Sequence, residues 1–117
     1  MLKIFGIRNC DTMKKAMHFL EAQGLAYEFV DYRQAGVAAK HLPDWCARGD
    51  WQTLLNKRGL TWKKLSDAER DNLDAARAMQ LMAEYPTLIK RPVLDAGQRL
   101  LVGFSAQTYQ QLADTCA

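Results

Sequence analysis

Two short apolar runs joined by one amphipathic helix constrain the fold of this chain more than any other feature. The runs are "LKIFGI" at 2–7 and "LAYEFVDY" at 25–32, and a helical pattern separates them from about Asp11 to Gln23. A helix of this length joins two parallel strands by a right-handed crossover, and Gly24 supplies the left-handed residue that commonly ends a helix. The segment therefore predicts a βαβ unit. Its helix should turn one stripe toward a core, formed by Met13, Ala16, Met17 and Leu20.

The middle of the chain, from about Val37 to Tyr85, shows helical patterns and no convincing strand. Ser66 and Glu69 have the spacing of a capping box, and Asp74 is placed to cap the helix that follows. This segment is interpreted as a helical insert within one domain, because no repeat or long linker sets it apart. The last helix of the insert should present one face, and three tryptophans should pack the insert. These residues are Ala76, Met79, Gln80 and Ala83 for the face, and Trp45, Trp51 and Trp62 for the packing.

The C-terminal part predicts a hairpin and a closing helix. "TLIKRPVLD" and "RLLVGF" are β-type runs joined by a turn that contains glycine. The helix from about Ser105 carries Tyr109, Leu112 and Ala113 on one side. The 117 residues are enough for one core and too few for two independent ones. We therefore predict a single α/β domain over 1–117, in the order β-α-β, helical insert at about 37–85, β-β-α.

Charge and cysteine content narrow the class of protein. The net charge is +3, and the basic residues fall in small groups rather than one long tract, which favours small anions over nucleic acid as partners. No run of about 18 apolar residues could span a membrane, and the N-terminus lacks the pattern of a secretory signal. Three cysteines, Cys10, Cys46 and Cys116, fit neither a disulfide framework nor a zinc site. The sequence predicts a cytoplasmic protein with no metal and no membrane partner.

Cys10 has two readings, as a buried structural residue or as a reactive thiolate. Free cysteine is among the most buried residue types, which supports the first reading. The second follows from its place between a strand and a helix, because the N–H groups and positive dipole end of a helix stabilise a thiolate. Lys14 and Lys15 add positive charge one turn on, whereas Asp11 acts the other way. The polar flank "RNCDT" favours the thiolate reading, because open α/β folds place sites at the carboxyl ends of strands.

The residues around Cys10 exclude several kinds of thiol chemistry. A C-x-x-C redox pair needs a second cysteine where Met13 stands, and a phosphatase-like C-x5-R loop needs arginine where Ala16 stands. A papain-like pair needs a positioned histidine, but His18 and His41 are expected on the surface or in packing. The remaining chemistry is a single nucleophilic thiol that forms a mixed disulfide with an external thiol.

Four segments together resemble one known family. "GIRNCDTMKKA", "LLNKRGLTWKKL", "PTLIKRPVL" and "RLLVGF" are similar to the arsenate reductase-related family that includes ArsC, Spx and YffB, and most closely to its YffB-type members. The match covers nearly the whole chain. The resemblance implies a thioredoxin-like fold with a helical insert, the catalytic cysteine at Cys10 after strand one, and Pro92 in a cis peptide bond before strand three. That proline would present the Arg91 backbone to an extended thiol peptide.

The resemblance also implies an anion-binding set of arginines, which is only partly present here. Arg91 matches one of the three. The second falls on Asn56, beside Lys57 and Arg58, and the third at about Gly103. Because an oxyanion in water needs several charge-assisted hydrogen bonds to bind, poor activity with arsenate is expected.

The resulting prediction is a glutathione-dependent thiol oxidoreductase that uses one nucleophilic cysteine. Glutathione is the expected co-substrate with no bound cofactor, and the partners are small thiols or disulfides, with glutaredoxin as a further candidate. The alternative is an Spx-like transcriptional regulator that binds RNA polymerase. Cys46 and Cys116 are expected to be packing and tail residues rather than resolving thiols. The predicted site residues are Cys10 as nucleophile, Asn9 and Lys14 at the loop and helix start, Lys57, Arg58 and Arg91 as anion-binding residues, and Pro92.

Overall fold

The structure is a computed structural model that describes residues 2–116, with the side chains described through Thr115. The chain forms two compact units, Met1–Asp31 with Arg91–Ala117, and Tyr32–Lys90. The prediction of one domain over 1–117 stays a prediction. The strands are β1 (Leu2–Gly6), β2 (Tyr27–Asp31), β3 (Val93–Asp95) and β4 (Leu100–Val102). The helices are α1 (Asp11–Ala22), α2 (Val37–Arg48), α3 (Trp51–Leu54), α4 (Leu60–Lys64), α5 (Asp67–Arg70), α6 (Ala75–Glu84) and α7 (Ala106–Cys116), with a 3-10 turn at Pro86–Leu88.

The first unit contains a four-stranded mixed sheet in the order β2-β1-β3-β4. β1 and β2 are parallel, as the βαβ pattern predicts, while β1 pairs antiparallel with β3 and β3 with β4. Ile4 marks the register, because it lies opposite Phe29 on one side and Leu94 on the other. The predicted order β-α-β, helical insert, β-β-α is confirmed, and with it the α/β thioredoxin-like fold.

The core of the first unit lies between the sheet and two helices. The α1 stripe predicted from the sequence is buried in full, and it packs with Ile4 and Leu94 of the sheet. α7 adds Tyr109, Leu112 and Ala113, which are also buried as predicted. Gly24 follows α1 with φ of +68°, the left-handed conformation expected at the end of that helix. The start of α1, where Cys10 lies, is therefore anchored by a helix with a fully buried face.

The Tyr109 hydroxyl is buried in this core and, among the described residues, has no hydrogen-bond partner. Burial raises the pKa of this phenol. We expect Tyr109→Phe to leave the free energy of unfolding unchanged or to raise it by up to about 1 kcal/mol, because an unsatisfied buried hydroxyl is removed. Urea denaturation measures this change. Tyr32→Phe is the matched control, because the Tyr32 hydroxyl donates to the Ile89 carbonyl at 2.8 Å, and its loss should cost about 1–3 kcal/mol. Equal destabilisation by both changes would contradict the conclusion that the Tyr109 hydroxyl is unsatisfied in the core.

The second unit is helical, as the insert at about 37–85 predicts. Ser66 and Glu69 form the predicted capping box, and the Asp74 side chain accepts from the N–H of Arg77 at 2.8 Å to cap α6. One β-bridge, between Leu55 and Ile89, closes the segment. No helix among residues 2–116 is long and apolar enough to cross a membrane.

The inward face of α6 is not the face that the sequence pattern traces. The structure buries Ala78, Leu81 and Met82 instead. α6 is apolar on two sides, and the side that carries the adjacent large residues Leu81 and Met82 is the one that packs inward. The predicted face, Ala76, Met79, Gln80 and Ala83, lines a surface cavity of about 290 Å³ together with residues of α2.

Candidate active site

Cys10 is the residue that precedes the first turn of α1. β1 ends at Gly6, and a short loop carries the chain to Cys10, whose backbone is extended (φ −143°, ψ 132°) before the helix begins at Asp11. Its carbonyl accepts the first helical hydrogen bond, from the Lys14 N–H at 2.9 Å. Cys10 is half-buried and packs against the core of the first unit on one side. The position after strand one that the sequence predicts for Cys10 is therefore correct.

The surroundings of the Cys10 sulfur favour its ionised form. Burial by itself raises the pKa of the thiol, but the N–H groups of Met13 and Thr12 and the Arg91 side chain, which hydrogen-bonds the sulfur, lower it further than burial raises it. The net pKa of Cys10 lies below its ordinary value. N–H donors at a helix start stabilise a thiolate more than a neutral thiol, which is why they lower the pKa. The sequence predicts the direction of this shift from the helix start. The cation that lowers the pKa of Cys10 is Arg91 rather than Lys14 or Lys15.

Arg91 and Pro92 enter the site from the other end of the chain. The Arg91–Pro92 peptide bond is cis, as the resemblance implied, and β3 begins at the next residue. Pro92 is buried, and its carbonyl accepts from the N–H of Gly103 at 2.8 Å. Gly103 has φ of +78°, a left-handed conformation that an arginine adopts only with strain. The position at which the resemblance implies a third anion-binding arginine, at about Gly103, thus has a backbone that disfavours a side chain.

Gly6 is a feature of the site that the sequence reasoning missed. A Cβ atom on Gly6 would collide with the Met13 thioether and would lie 3.3 Å from Cβ of Arg91. These two neighbours are residues whose groups lower the pKa of Cys10. A glycine at the end of a strand often marks a place where another group approaches the backbone closely. The position of Gly6 at the end of the first apolar run could have indicated this from the sequence.

The other predicted residues of this unit lie at its surface. Asn9 and Lys14 are both exposed, so their roles in shaping the loop and helix start stay predictions. Arg8, which the sequence analysis did not single out, places its guanidinium 4.4 Å from the centre of the Phe29 ring. This cation–π contact ties the loop before Cys10 to β2.

Lys57 and Arg58 lie in the second unit, Tyr32–Lys90. They line a cavity of about 420 Å³ together with Lys90, Asn56 and two further residues, Gln52 and Leu55. The Nζ atom of Lys57 is 5.5 Å from the centre of the Trp62 ring. Their role in binding substrate anions stays a prediction.

The second cysteine differs from the first in its electrostatics. Cys46 is a half-buried residue of α2, and burial together with the charge of Asp50 raises the pKa of its thiol. A raised pKa makes this thiol less reactive at neutral pH. The side chain of Cys116 lies outside the described residues. Trp45 is fully buried, whereas Trp51 and Trp62 are half-buried.

The remaining titratable groups give no sign of a metal centre in the described part of the chain. No group of three or more His, Cys, Asp or Glu side chains there could hold a metal ion. His18 is exposed, and His41 stacks on the Trp45 ring with centroids 5.6 Å apart.

Comparison with known proteins identifies the family. The model of the ArsC family matches residues 5–112. The chain belongs to the ArsC family. Its membership supports a thiol-based oxidoreductase of the arsenate reductase-like type.

Individual relatives of the ArsC family agree with this membership. A solved structure of the protein YFFB (PA3664) is 46% identical with a TM-score of 0.89, over 95% of this chain and 97% of that one. An arsenate reductase (ArsC) related protein from Brucella melitensis is 44% identical with a TM-score of 0.75, over 94% and 92% of the two chains. An arsenate reductase from Neisseria meningitidis serogroup A is 27% identical over 114 residues, or 87% of this chain and 89% of its own length. These names give no support to the alternative of an RNA polymerase-binding regulator.

Proposed function

We propose that this ArsC-family chain is a glutathione-dependent thiol oxidoreductase whose single nucleophile is Cys10. The observation that carries the proposal is the setting of the Cys10 sulfur. It is half-buried at the start of α1, near the N–H group of Met13, and it is hydrogen-bonded by the Arg91 side chain. A thiolate, not a thiol, attacks a disulfide, so a site that favours the ionised sulfur suits this chemistry.

The reaction proceeds through a mixed disulfide and balances without a bound cofactor. The Cys10 thiolate attacks one sulfur of a glutathione mixed disulfide, a Cys10–glutathione S–S bond forms, and the substrate thiolate leaves and takes a proton from water. A second glutathione thiolate then attacks this bond. It releases glutathione disulfide and restores the Cys10 thiolate. The net reaction turns one mixed disulfide and one reduced glutathione into the free substrate thiol and one glutathione disulfide.

One protein cysteine is sufficient for this cycle. Met13 occupies the position of a C-x-x-C partner, and Cys46 has a raised pKa that argues against a resolving role. With Cys116 taken as a tail residue, as the sequence predicts, the resolving thiol comes from outside the chain. Glutathione supplies it in the cytoplasm, where we place the protein within this proposal. Glutaredoxin remains a candidate partner for the same step.

Arsenate is expected to be a poor substrate. Of the family's three anion-binding arginines, Arg91 is present, whereas the other two positions hold Asn56 and the left-handed Gly103. A divalent oxyanion that has left water needs several charge-assisted hydrogen bonds, so loss of two arginines weakens its binding. Glutathione carries two carboxylates and needs only a modest set of cations. We assign Arg91 to this role beside Cys10, with Asn9 and Lys14 shaping the loop and Pro92 presenting the adjoining backbone. Lys57 and Arg58, which lie in the other unit, stay predicted anion-binding residues.

The test is the formation of a glutathione adduct at a defined sulfur. The protein is incubated with glutathione disulfide at pH 7, and its peptides are assigned by mass spectrometry. We expect one added glutathione on the Cys10 peptide, its removal by reduced glutathione, the same result in Cys46→Ser, and no adduct in Cys10→Ser. An adduct on Cys46 in preference to Cys10 would contradict the choice of nucleophile. Reaction with neutral hydroxyethyl disulfide but not with glutathione disulfide would contradict the choice of co-substrate.

A further inference from the structure

We propose that Arg8 is a positioning residue for the nucleophile, because its guanidinium, held on the Phe29 ring, fixes the loop that carries Cys10 against β2. The proposal rests on the proposed function, in which Cys10 is the nucleophile. The three residues lie in one unit, Met1–Asp31 with Arg91–Ala117. In this role Arg8 acts through the position of the loop and not as a donor to the sulfur.

The loop between β1 and α1 has little support from backbone hydrogen bonds. β1 pairs with β2 as far as Gly6, and α1 begins with the bond that the Cys10 carbonyl accepts at 2.9 Å. Between these points, Arg8 and Asn9 form no backbone–backbone hydrogen bond to any residue that the structure describes. Side-chain contacts must therefore hold this stretch in place, because a segment with few backbone hydrogen bonds opens easily.

The Arg8 side chain supplies such a contact. Its guanidinium carbon lies 4.4 Å from the centre of the Phe29 ring, inside the range of a cation–π contact. Phe29 is itself well anchored, because it lies opposite Ile4 in the parallel pair of strands and packs against the buried core of the unit. The contact therefore ties an exposed loop residue to a ring whose place the sheet determines.

The same face of β2 also holds the other end of α1. Tyr27 lies two residues before Phe29, so both side chains project from one face of the strand. The Tyr27 hydroxyl donates to the carboxylate of Glu21, in the last turn of α1, at 2.9 Å. Burial and Glu21 raise the pKa of Tyr27, whereas the charge of Arg8 lowers it, which places Arg8 near this pair as well. β2 thus holds the end of α1 directly and the loop before its start through Arg8.

The position of the loop matters because the sulfur of Cys10 needs groups from two separate segments. Burial raises the pKa of the thiol, and the N–H groups of Met13 and Thr12 in α1 and the Arg91 side chain before β3 together lower it further. A loop that moves relative to these groups spends less time with all of them around the sulfur, so the thiolate loses stabilisation. Arg91 supplies the charge that lowers this pKa, and the part left to Arg8 is therefore geometry rather than charge.

The test is a double-variant cycle on the contact between Arg8 and Phe29, measured by alkylation of Cys10. The rate of reaction with iodoacetamide at the Cys10 peptide is followed by mass spectrometry across pH. We expect Arg8→Gln and Phe29→Leu each to move the midpoint of this profile higher by about 0.3–0.7 pH unit, or about two- to fivefold in the ionisation constant, the scale of a cation–π contact at an exposed site. The double variant should show the shift of one single variant, because both changes remove the same contact.

Two further variants control for charge and for the ring. Lys3→Gln removes an exposed cation from β1, and Phe29→Tyr keeps an aromatic ring, so both should leave the midpoint unchanged. The backbone order parameters of residues 8 and 9, measured by NMR relaxation, should fall in Arg8→Gln and Phe29→Leu and stay constant in the two controls. The amide spectrum of each variant shows whether the unit has kept its fold.

Three results would overturn the role of Arg8. They are an unchanged midpoint in Arg8→Gln, a shift in Arg8→Gln without one in folded Phe29→Leu, and additive shifts in the double variant. Arg8 is exposed, so Arg8→Gln alone decides the matter where Phe29→Leu fails to fold. Since iodoacetamide reports the thiol alone, failure here would leave glutathione adduct formation at Cys10 intact. Failure of adduct formation would in turn leave the measured midpoints standing.

Discussion

Arg91→Gln is expected to slow alkylation of the Cys10 thiol by iodoacetamide about three- to tenfold at pH 7. The Arg91 side chain hydrogen-bonds the sulfur and adds positive charge, and both effects lower the pKa of Cys10. A charge-assisted hydrogen bond stabilises the ionised sulfur, and solvent screening at this half-buried position reduces its contribution. A thiolate of higher pKa is also intrinsically more nucleophilic. The logarithm of the alkylation rate therefore falls by only about half as much as the logarithm of the thiolate fraction.

The pH profile distinguishes this cause from a change in access. The rate at the Cys10 peptide, followed by mass spectrometry, rises as pH passes through the pKa of the thiol. Removing a group that lowers this pKa must move the rise to higher pH. At alkaline pH, where both thiols are ionised, Arg91→Gln should therefore react as fast as the unmodified protein or faster. A slower rate that persists at alkaline pH would contradict the electrostatic role.

Two further variants control for charge and geometry. Lys15→Gln removes an exposed cation from α1 and should leave the profile unchanged. Arg91→Lys keeps the charge but loses the planar donor group. Its alkylation rate at pH 7 should therefore lie between that of the unmodified protein and that of Arg91→Gln. If Lys15→Gln slowed the reaction as much as Arg91→Gln, net charge rather than the hydrogen bond would explain the effect.

Patterns of local periodicity account for most of what the sequence predicted about the fold. The α1 stripe, the parallel pair it connects, the hairpin and the inward face of α7 each follow from one repeating spacing of apolar residues. The capping box at Ser66 follows from side chains that reach only their own helix. Such features depend on neighbours in sequence, so one sequence is sufficient to predict them.

α6 shows where this reasoning fails. Its residues offer two apolar faces, and periodicity alone does not say which face packs inward. The choice depends on the side chains of other elements, which a pattern within one helix does not contain. The sequence pattern traces a face formed by Ala76, Met79, Gln80 and Ala83 without saying which face packs inward, and the structure buries Ala78, Leu81 and Met82.

The candidate site was predictable in its nucleophile and less so in its surroundings. The position of Cys10 between a strand and a helix predicts the direction of its pKa shift. The contact between Arg91 and the sulfur joins residues 81 positions apart, so spacing cannot supply it. The resemblance gave Arg91 as an anion-binding residue whose backbone faces a thiol peptide, and not as a donor to the sulfur. Gly6 was missed because its importance lies in the absence of a side chain.

Gly6→Ala is expected to destabilise the protein by about 1–3 kcal/mol and to move the alkylation profile of Cys10 to higher pH. The new methyl group would collide with the Met13 thioether, whose residue is fully buried and has little room to move. It would also lie 3.3 Å from Cβ of Arg91, tighter than ordinary van der Waals contact. Displacement of Arg91 weakens a group that lowers the pKa of the thiol. Urea denaturation and the pH profile of alkylation measure the two effects separately.

Two matched variants show whether the thiol effect is specific to this position. Gly24→Ala places a side chain at φ of +68° with open space around it, so it should cost about 1 kcal/mol and leave the profile unchanged. Adding Met13→Ala to Gly6→Ala removes the thioether that the new methyl group would strike. The stability losses of the two single variants should therefore sum to more than the loss in the double variant. The contact with Arg91 remains in that double variant, and its profile should stay at higher pH. A profile unchanged by Gly6→Ala would refute a positioning role for Gly6, because stability alone would then explain why a glycine stands there.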